Sequence, residues 1–372
     1  MNVWVVFAIL FAILFGSVWL LIYCFLKLAV VLPSKSGLTW KVNDTNRIDA
    51  VVQEVLDANG IAKTIGSDWD LYVPSTYDNL AQQLAKITEF GPQRKVFAMD
   101  NADQLCGKNL VWTNLVGAYS RSGAAELMPN TYVLHNADDM ELFKKEYDPR
   151  KLYILKKNIQ KQEGLLITRE YTKILNAATE NYVVVQELLQ NPFLINERKI
   201  NMRFYLLIVC DNGMIPPAAY VFNDGFMYYT KDPFVPDSTA PGPNITTGYI
   251  DRQVYVDNPL THSDFKKYLL EHNKKPNKFF CKTNESIAKV VNACANGLCQ
   301  GSLKECISFQ LFGVDIAVSD DLQPLLMEVN KGPDLGAKDQ RDKQLKLKAL
   351  SDAFAIVGLV KSGSANGYVR IL

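Results

Sequence analysis

The chain has 372 residues, 48% of them apolar, with 40 Lys and Arg against 39 Asp and Glu. This composition excludes a disordered, collagen-like or coiled-coil protein and leaves room for two globular lobes. Near-zero net charge gives no electrostatic footprint for nucleic acid, because such a binder needs surplus cations to displace condensed counterions.

Val3 to Leu26 runs without a single Asp, Glu, Lys or Arg. At about 1.5 Å rise per residue, such a helix crosses a hydrocarbon core of about 30 Å with tilt to spare. A cleaved secretory signal is the other reading, but its apolar core is shorter and follows a basic start, and only Met1 and Asn2 precede this one. The expectation is a retained transmembrane anchor over residues 1–32. Lys27, Lys35 and Lys41 follow the run and nothing positive precedes it, so a single-pass membrane protein with its body facing the cytosol is expected. The cysteines agree with a reducing compartment: Cys106, Cys210, Cys281, Cys294, Cys299 and Cys306 form no CxxC pair and show no histidine partner spacing.

Residues 33–48 are polar, with a Pro and a Gly, and read as a juxtamembrane linker. Asp49 to Asn59 places Val51, Val52, Val55 and Leu56 at helical spacing before Gly60, a second helix is expected around Tyr77 to Thr88, and a strand fits Lys95 to Ala98. These make an amino-terminal α/β lobe over 49–150. Beyond it, strand-like runs at Tyr153 to Leu155, Val183 to Leu189, Met202 to Cys210, Phe309 to Val318 and Pro324 to Val329 predict a β-rich region over 151–362, with a tail at 363–372. Pro233 to Thr247 reads as a long loop, and Asp342 to Val360 as a helix.

Three segments of this region carry chemistry. YILKKNIQKQEGLLIT, residues 153–168, reads as a hairpin whose Lys156, Lys157 and Lys161 could neutralise phosphate while Gly164 permits close approach; a plain surface hairpin explains it equally well. In INERKINMRFYLLIVC, Lys199, Asn201 and Arg203 share one strand face because side chains alternate with period two, and Ile200, Met202 and Phe204 share the other. That cationic face suits phosphate, with Arg as a planar fork and Lys as a point charge; a solvated face is the bland alternative.

The third segment, FQLFGVDIAVSDDLQPLLMEVNKGP at 309–333, places two apolar strands around a polar turn, so a hairpin is expected. With an even-numbered loop, Asp315 faces Leu326, and Glu328 and Asn330 project from the same side as Asp315. Both carboxylates lie among apolar neighbours, where a lone charge is costly, and a bound cation resolves that cost. Two carboxylates and a carboxamide are hard oxygen donors suited to magnesium held with a nucleotide. The alternative is a solvent-facing strand, or pairing with lysines. GxxxxGK is absent, no GxGxxG follows a strand, and His135, His262 and His272 lack a nearby nucleophile pattern.

The order of these segments resembles the tubulin tyrosine ligase-like family of ATP-grasp carboxylate-amine ligases. SDWDLYV, KVFAMDNADQLCGKNLVWTNL and LMPNTYVLHNADDMELF look like its amino-terminal lobe. The resemblance implies an α+β, ATP-grasp-like fold with a smaller α/β amino-terminal lobe, here preceded by one transmembrane helix. It implies that Lys156 and Lys161 touch ATP phosphates and that Gln186, Glu187, Leu188 and Leu189 form the adenine hinge. Lys199, Asn201 and Arg203 then fall in the nucleotide and catalytic region, with Lys199 and Arg203 contacting phosphate or the acyl intermediate. By the same resemblance Asp315, Glu328 and Asn330 would hold magnesium.

The implied reaction activates a protein carboxylate as an acyl phosphate and then forms an amide with an amino acid, with tubulin's tail as the typical acceptor. A non-tubulin or small-molecule acceptor, and an inactive membrane-tethered binding module on the same fold, are the other readings. The chain departs from the family pattern where Asn201 replaces an Asp, Tyr228 stands in the place of an Arg with Lys231 as a substitute cation, Thr247 takes the place of an Asn, and the lysine loop reads KQEG.

Overall fold

Short apolar stretches broken by Gly, Pro and Asn build the first strands of a large mixed sheet: β1 (Thr39–Lys41), β2 (Ala62–Lys63), β3 (Leu71–Tyr72) and β4 (Lys95–Val96). A computed structural model describes residues 37–43, 47–87, 89–159, 164–247, 253–337, 339–361 and 365–372. Between β1 and β2 the expected helix forms over Ala50–Ala58, with the Asp49 side chain accepting from the Val51 N–H as its N-cap and Val51, Val52, Val55 and Leu56 buried. The second expected helix is a single turn and a half, Leu80–Leu84.

A separate antiparallel sheet follows, built from β5 (Thr131–Val133), β6 (Tyr153–Lys156), β7 (Leu165–Thr168) and β8 (Val184–Glu187) in the order β5-β8-β6-β7. The chain then returns to the large sheet through β9 (Leu194–Ile195), β10 (Arg198–Asp211), β11 (Ala218–Thr230), β12 (Thr246–Thr247), β13 (Ile307–Val318), β14 (Pro324–Asn330) and β15 (Tyr368–Arg370). Asn196 and Glu197 join β9 to β10 with φ of 44° and 63°, the positive-φ pair of a two-residue hairpin whose twist matches its strands. The main path runs β12-β11-β10-β13-β4-β3-β1-β2. It is antiparallel from β12 to β13 and parallel from β13 to β2, and β14 pairs with β13.

Alternation along β10 decides which face is core. Ile200, Met202, Phe204, Leu206 and Ile208 pack with Phe279, Ile287, Val290, Val291, Cys294 and Leu298 of the helix Pro276–Leu298. Those helix positions recur at three- and four-residue spacing and form one apolar stripe. On the opposite face Tyr205 and Leu207 join Phe97, Phe309 and Phe354 under the helix Gln340–Ile356, while Lys199, Asn201 and Arg203 line a cavity. Cys210 and Cys299 are disulfide-bonded across 89 positions, a pairing that sequence spacing did not announce.

The expectation of a transmembrane helix is corrected. Among the described residues no helix is long and apolar enough to cross a membrane, and residues 1–32 lie outside those described. The fold class of the described residues is therefore mixed α/β with no membrane-spanning helix among them, and the single-pass membrane localisation is withdrawn.

Candidate active site

The hairpin β13–β14 forms as the sequence predicts, but in a different register. Asp315 pairs with Glu328, not with Leu326, because an irregularity between Asp315 and Ile316 shifts the ladder; Gly313 pairs with Asn330 on one side and Ile316 with Leu326 on the other. β10 lies on the other side of β13 and sets Arg203 directly opposite Asp315. Three neighbouring strands thus place Arg203, Asp315 and Glu328 in one row.

Arg203 grips Asp315 with two charge-assisted bonds, Nε to Oδ1 at 2.6 Å and Nη2 to Oδ2 at 3.0 Å. Both side chains are buried, about 11% and 10% exposed. Gly313 makes room for this fork: a Cβ there would stand 3.1 Å from Arg203 Cδ and Nη1. Burial pushes the Asp315 carboxyl above its ordinary range, with the Glu328 charge adding to the rise and Arg203 opposing it. Burial also raises Glu328, but Lys108 and Lys156 outweigh it and hold that carboxyl below its ordinary range.

Asn330 Nδ2 lies 3.2 Å from Asp315 Oδ2 and 3.3 Å from Glu328 Oε1, so the carboxamide bridges the two carboxylates. The three oxygen-bearing groups expected to gather do converge. A donor nitrogen seated between two carboxylates marks a point of negative potential where a hard cation is equally stabilised. No His, Cys or third carboxylate among the described residues joins this pair into a larger metal-binding group. The donor set therefore fits magnesium, which keeps waters and phosphate oxygens in its remaining positions, better than zinc.

The lysines face these anions. Lys156, at the end of β6, is 5% exposed, and its Nζ donates to the Met327 carbonyl at 3.4 Å. Lys199, 6% exposed, donates to the Leu189 carbonyl at 2.9 Å and lies over the Phe234 ring. Burial pushes both ammonium groups down, each to about 8. Lys108, at the first turn of the helix Lys108–Ala125, reaches to 3.8 Å from Glu328 Oε2. Sequence reading missed Lys108, because only the tertiary fold brings the amino-terminal lobe against the hairpin; its place at a helix start was the sole local signal.

These groups line one cavity of about 570 Å³ between the two sheets. Ile154, Leu165, Leu188 and Ile245, packed in one apolar cluster, give it an apolar slot together with Leu189, Pro192 and Met327. Lys108, Lys156, Lys199, Arg203, Asp315 and Glu328 are its charged lining, and Asn201, Tyr228, Asn244 and Thr246 add uncharged polar groups. Of the expected hinge, Leu188 and Leu189 line the slot. Gln186, opposite Ile154 in the β6–β8 ladder and so on the same face, is fully buried without lining the cavity and donates to Thr131 Oγ1 at 2.8 Å, and Glu187 pairs with Lys151 at 2.7 Å. Lys161 lies outside the described residues. Lys231 is exposed and does not line the cavity.

The protein is of mixed α/β class, with a cleft between a large mixed sheet and a smaller antiparallel one that holds paired carboxylates, buried lysines and an apolar slot. The model of the tubulin-tyrosine ligase family matches residues 91–365, and the chain belongs to that family. Its relatives include the probable tubulin polyglutamylase TTLL9 of Mus musculus, 31% identical over 195 residues that make up 48% of this chain and 39% of that protein. The tubulin polyglutamylase TTLL7 of Mus musculus is 22% identical over 374 residues, 90% of this chain and 39% of that protein. The tubulin polyglutamylase ttll-4 of Caenorhabditis briggsae is 25% identical over 289 residues, 72% of this chain and 47% of that protein. The chain thus spans less than half the length of these relatives.

Proposed function

We propose that this chain is an ATP- and magnesium-dependent ligase that joins a protein carboxylate to the amino group of an amino acid, with the tail of tubulin as acceptor. The observation that carries this reading is the row Arg203, Asp315, Glu328 facing Lys156 and Lys199 across one cavity. Family membership and the relatives named as tubulin polyglutamylases support it. In this reading the region 151–362 is catalytic and the lobe 49–150 contributes Lys108.

The apolar slot takes the base. Lys156 and Lys199, which donate to backbone carbonyls and have no ion-pair partner among the described residues, bind the phosphates. Asp315, Glu328 and Asn330 would hold magnesium, which supplies neutralisation of phosphate charge when bound. Arg203, fixed by Asp315, presents its guanidinium to the anionic reacting groups, so the clamp is preorganised before charge develops. An acceptor carboxylate oxygen attacks the terminal phosphorus, giving an acyl phosphate and ADP. The amine then adds to the acyl carbon, the carbon–oxygen bond to phosphate breaks, and the amine's proton leaves with phosphate or to solvent. Enclosure between the sheets protects the acyl phosphate from water.

Purified chain given magnesium, ATP, tubulin and labelled amino acids tests this. Label incorporated into tubulin supports the reading. Failure to bind nucleotide in a thermal-shift assay overturns it. ATP turnover with no label on tubulin keeps the ligase and removes the tubulin acceptor.

A further inference from the structure

Lys108 is the one residue of the lobe 49–150 among the described residues that line the cavity. Its Nζ stands 3.8 Å from Glu328 Oε2 and donates to the Ile159 carbonyl at 3.4 Å. The lysine stem is flexible, so this aim depends on where the start of the helix Lys108–Ala125 is held.

That start has no cap of its own. The N-cap position is Gly107, which offers no side chain, and a Cβ there would stand 2.9 Å from the Asp103 carbonyl oxygen and 3.2 Å from Leu110 Cδ1. The Ser, Thr, Asp or Asn that ordinarily satisfies the free N–H groups of a first turn is therefore shut out. Asn158, 50 positions further along, supplies the missing acceptor. Its Oδ1 accepts from the Lys108 N–H at 3.1 Å and its Nδ2 donates to Asn109 Oδ1 at 3.0 Å, so both ends of one carboxamide grip the first two residues of the helix. Asn158 follows strand β6 two positions after Lys156. Its neighbour Ile159 packs on Gly164, where a Cβ would stand 2.6 Å from Ile159 Cγ1. The lysine hairpin and the helix start are thus clasped together, and Lys108 is the residue in the clasp that reaches a carboxylate of the site.

We infer that Asn158 is a positioning residue: by capping the helix from the lysine hairpin it holds the Lys108 ammonium in the cavity beside Glu328, where it joins Lys156 in meeting the phosphates. The inference rests on the ligase reading above. Asn158 is exposed and does not itself line the cavity, so its effect on nucleotide passes through Lys108.

The test is a double-mutant cycle on the purified chain, read as the dissociation constant for ATP with magnesium. Lys108→Met should weaken binding about tenfold or more, the size of a lost charge-assisted contact. Asn158→Ala should weaken it about fivefold, the size of one lost helix cap. Asn158→Asp keeps an acceptor for the helix N–H and puts an anion at a helix start, so it should stay within about twofold of the parent. Asn158→Ala made in the Lys108→Met protein should change the constant by less than about twofold, because the charge it positions is gone. Parent-like binding in Lys108→Met or in Asn158→Ala, no rescue by Asn158→Asp, or the same fold loss with and without Lys108 overturns the inference and leaves the ligase reading standing. A parent chain that binds no ATP takes down both.

Discussion

The hairpin β13–β14 and the hairpin β6–β7 face each other across the cavity and meet burial in opposite ways. On β13–β14, Asp315 and Glu328 are matched within the protein by Arg203, Lys108 and Asn330. Across from it, Lys156 of β6 donates to the Met327 carbonyl and Lys199 of β10 to the Leu189 carbonyl, and neither has a carboxylate within ion-pair distance among the described residues. One side is a charge cluster that the fold completes. The other is a pair of desolvated cations that the fold leaves for a ligand. Rigid geometry resides on the first side and affinity for anions on the second, so substitutions on the two sides should fail differently.

The largest effect is expected at Glu328→Gln. The amide keeps the shape and the contact with Asn330 but removes one anionic oxygen donor, so turnover should fall by about a thousandfold or more, in the range seen when a preorganised charge-stabilising group is lost. Its melting temperature should change little, since Glu328 is only half-buried. Parent-like turnover in Glu328→Gln would remove the metal assignment.

Asp315→Ala separates stability from chemistry on the same hairpin. Because Asp315 holds Arg203 by a bidentate bond, the variant strands a buried guanidinium, at a cost of about 3–5 kcal/mol. Denaturant unfolding should show the loss, and replacing Arg203 with Met in the same background should restore part of it. Gly313→Ala should cost less, about 1–3 kcal/mol, because its Cβ meets Arg203 at 3.1 Å and the fork must shift.

What the sequence made readable follows the same division. Strand faces were readable because period-two alternation with one buried face admits a single solution: Lys199, Asn201 and Arg203 do share the cavity side, and Asp315, Glu328 and Asn330 do converge. Register was not, because the irregularity after Asp315 depends on how β13 sits between β10 and β14, which no local pattern encodes. Partners distant in sequence were likewise invisible. Lys108 reaches Glu328 from another lobe, Arg203 is already engaged by Asp315, and Cys210 finds Cys299. The run at Val3 to Leu26 had the length and hydropathy of a membrane helix, but no described helix has that character.

On the lysine side, Lys199→Met should reverse the usual sign of a core substitution. Exchanging a desolvated ammonium for an apolar chain of similar length should stabilise the ligand-free protein by about 1–3 kcal/mol, because burial alone accounts for the lowered pKa. The same change should weaken ATP binding by roughly tenfold or more, through the lost phosphate contact. A variant that is both less stable and unaltered in ATP affinity would show Lys199 to be structural.

The smallest effect is one of pH, and its sign follows from the same burial. Lys199 titrates near 10.5 when unfolded and is pushed down to about 8 in the fold. Below about pH 8 both states hold the proton, and the penalty of burying the charge is fully present. Between there and 10.5 the unfolded chain keeps its proton while the folded chain has released it, so stability should rise with pH by at most about 1.4 kcal/mol per unit. Nucleotide binding runs the other way. Phosphate favours the charged lysine, so binding takes up a proton above pH 8 and ATP affinity should fall as pH rises from 8 to 9. The difference between parent and Lys199→Met isolates this group from every other titration in the molecule. Unfolding midpoints and ATP titrations at pH 7, 8 and 9 on both proteins measure it, and parallel profiles would assign the anion affinity of the cavity to some other cation.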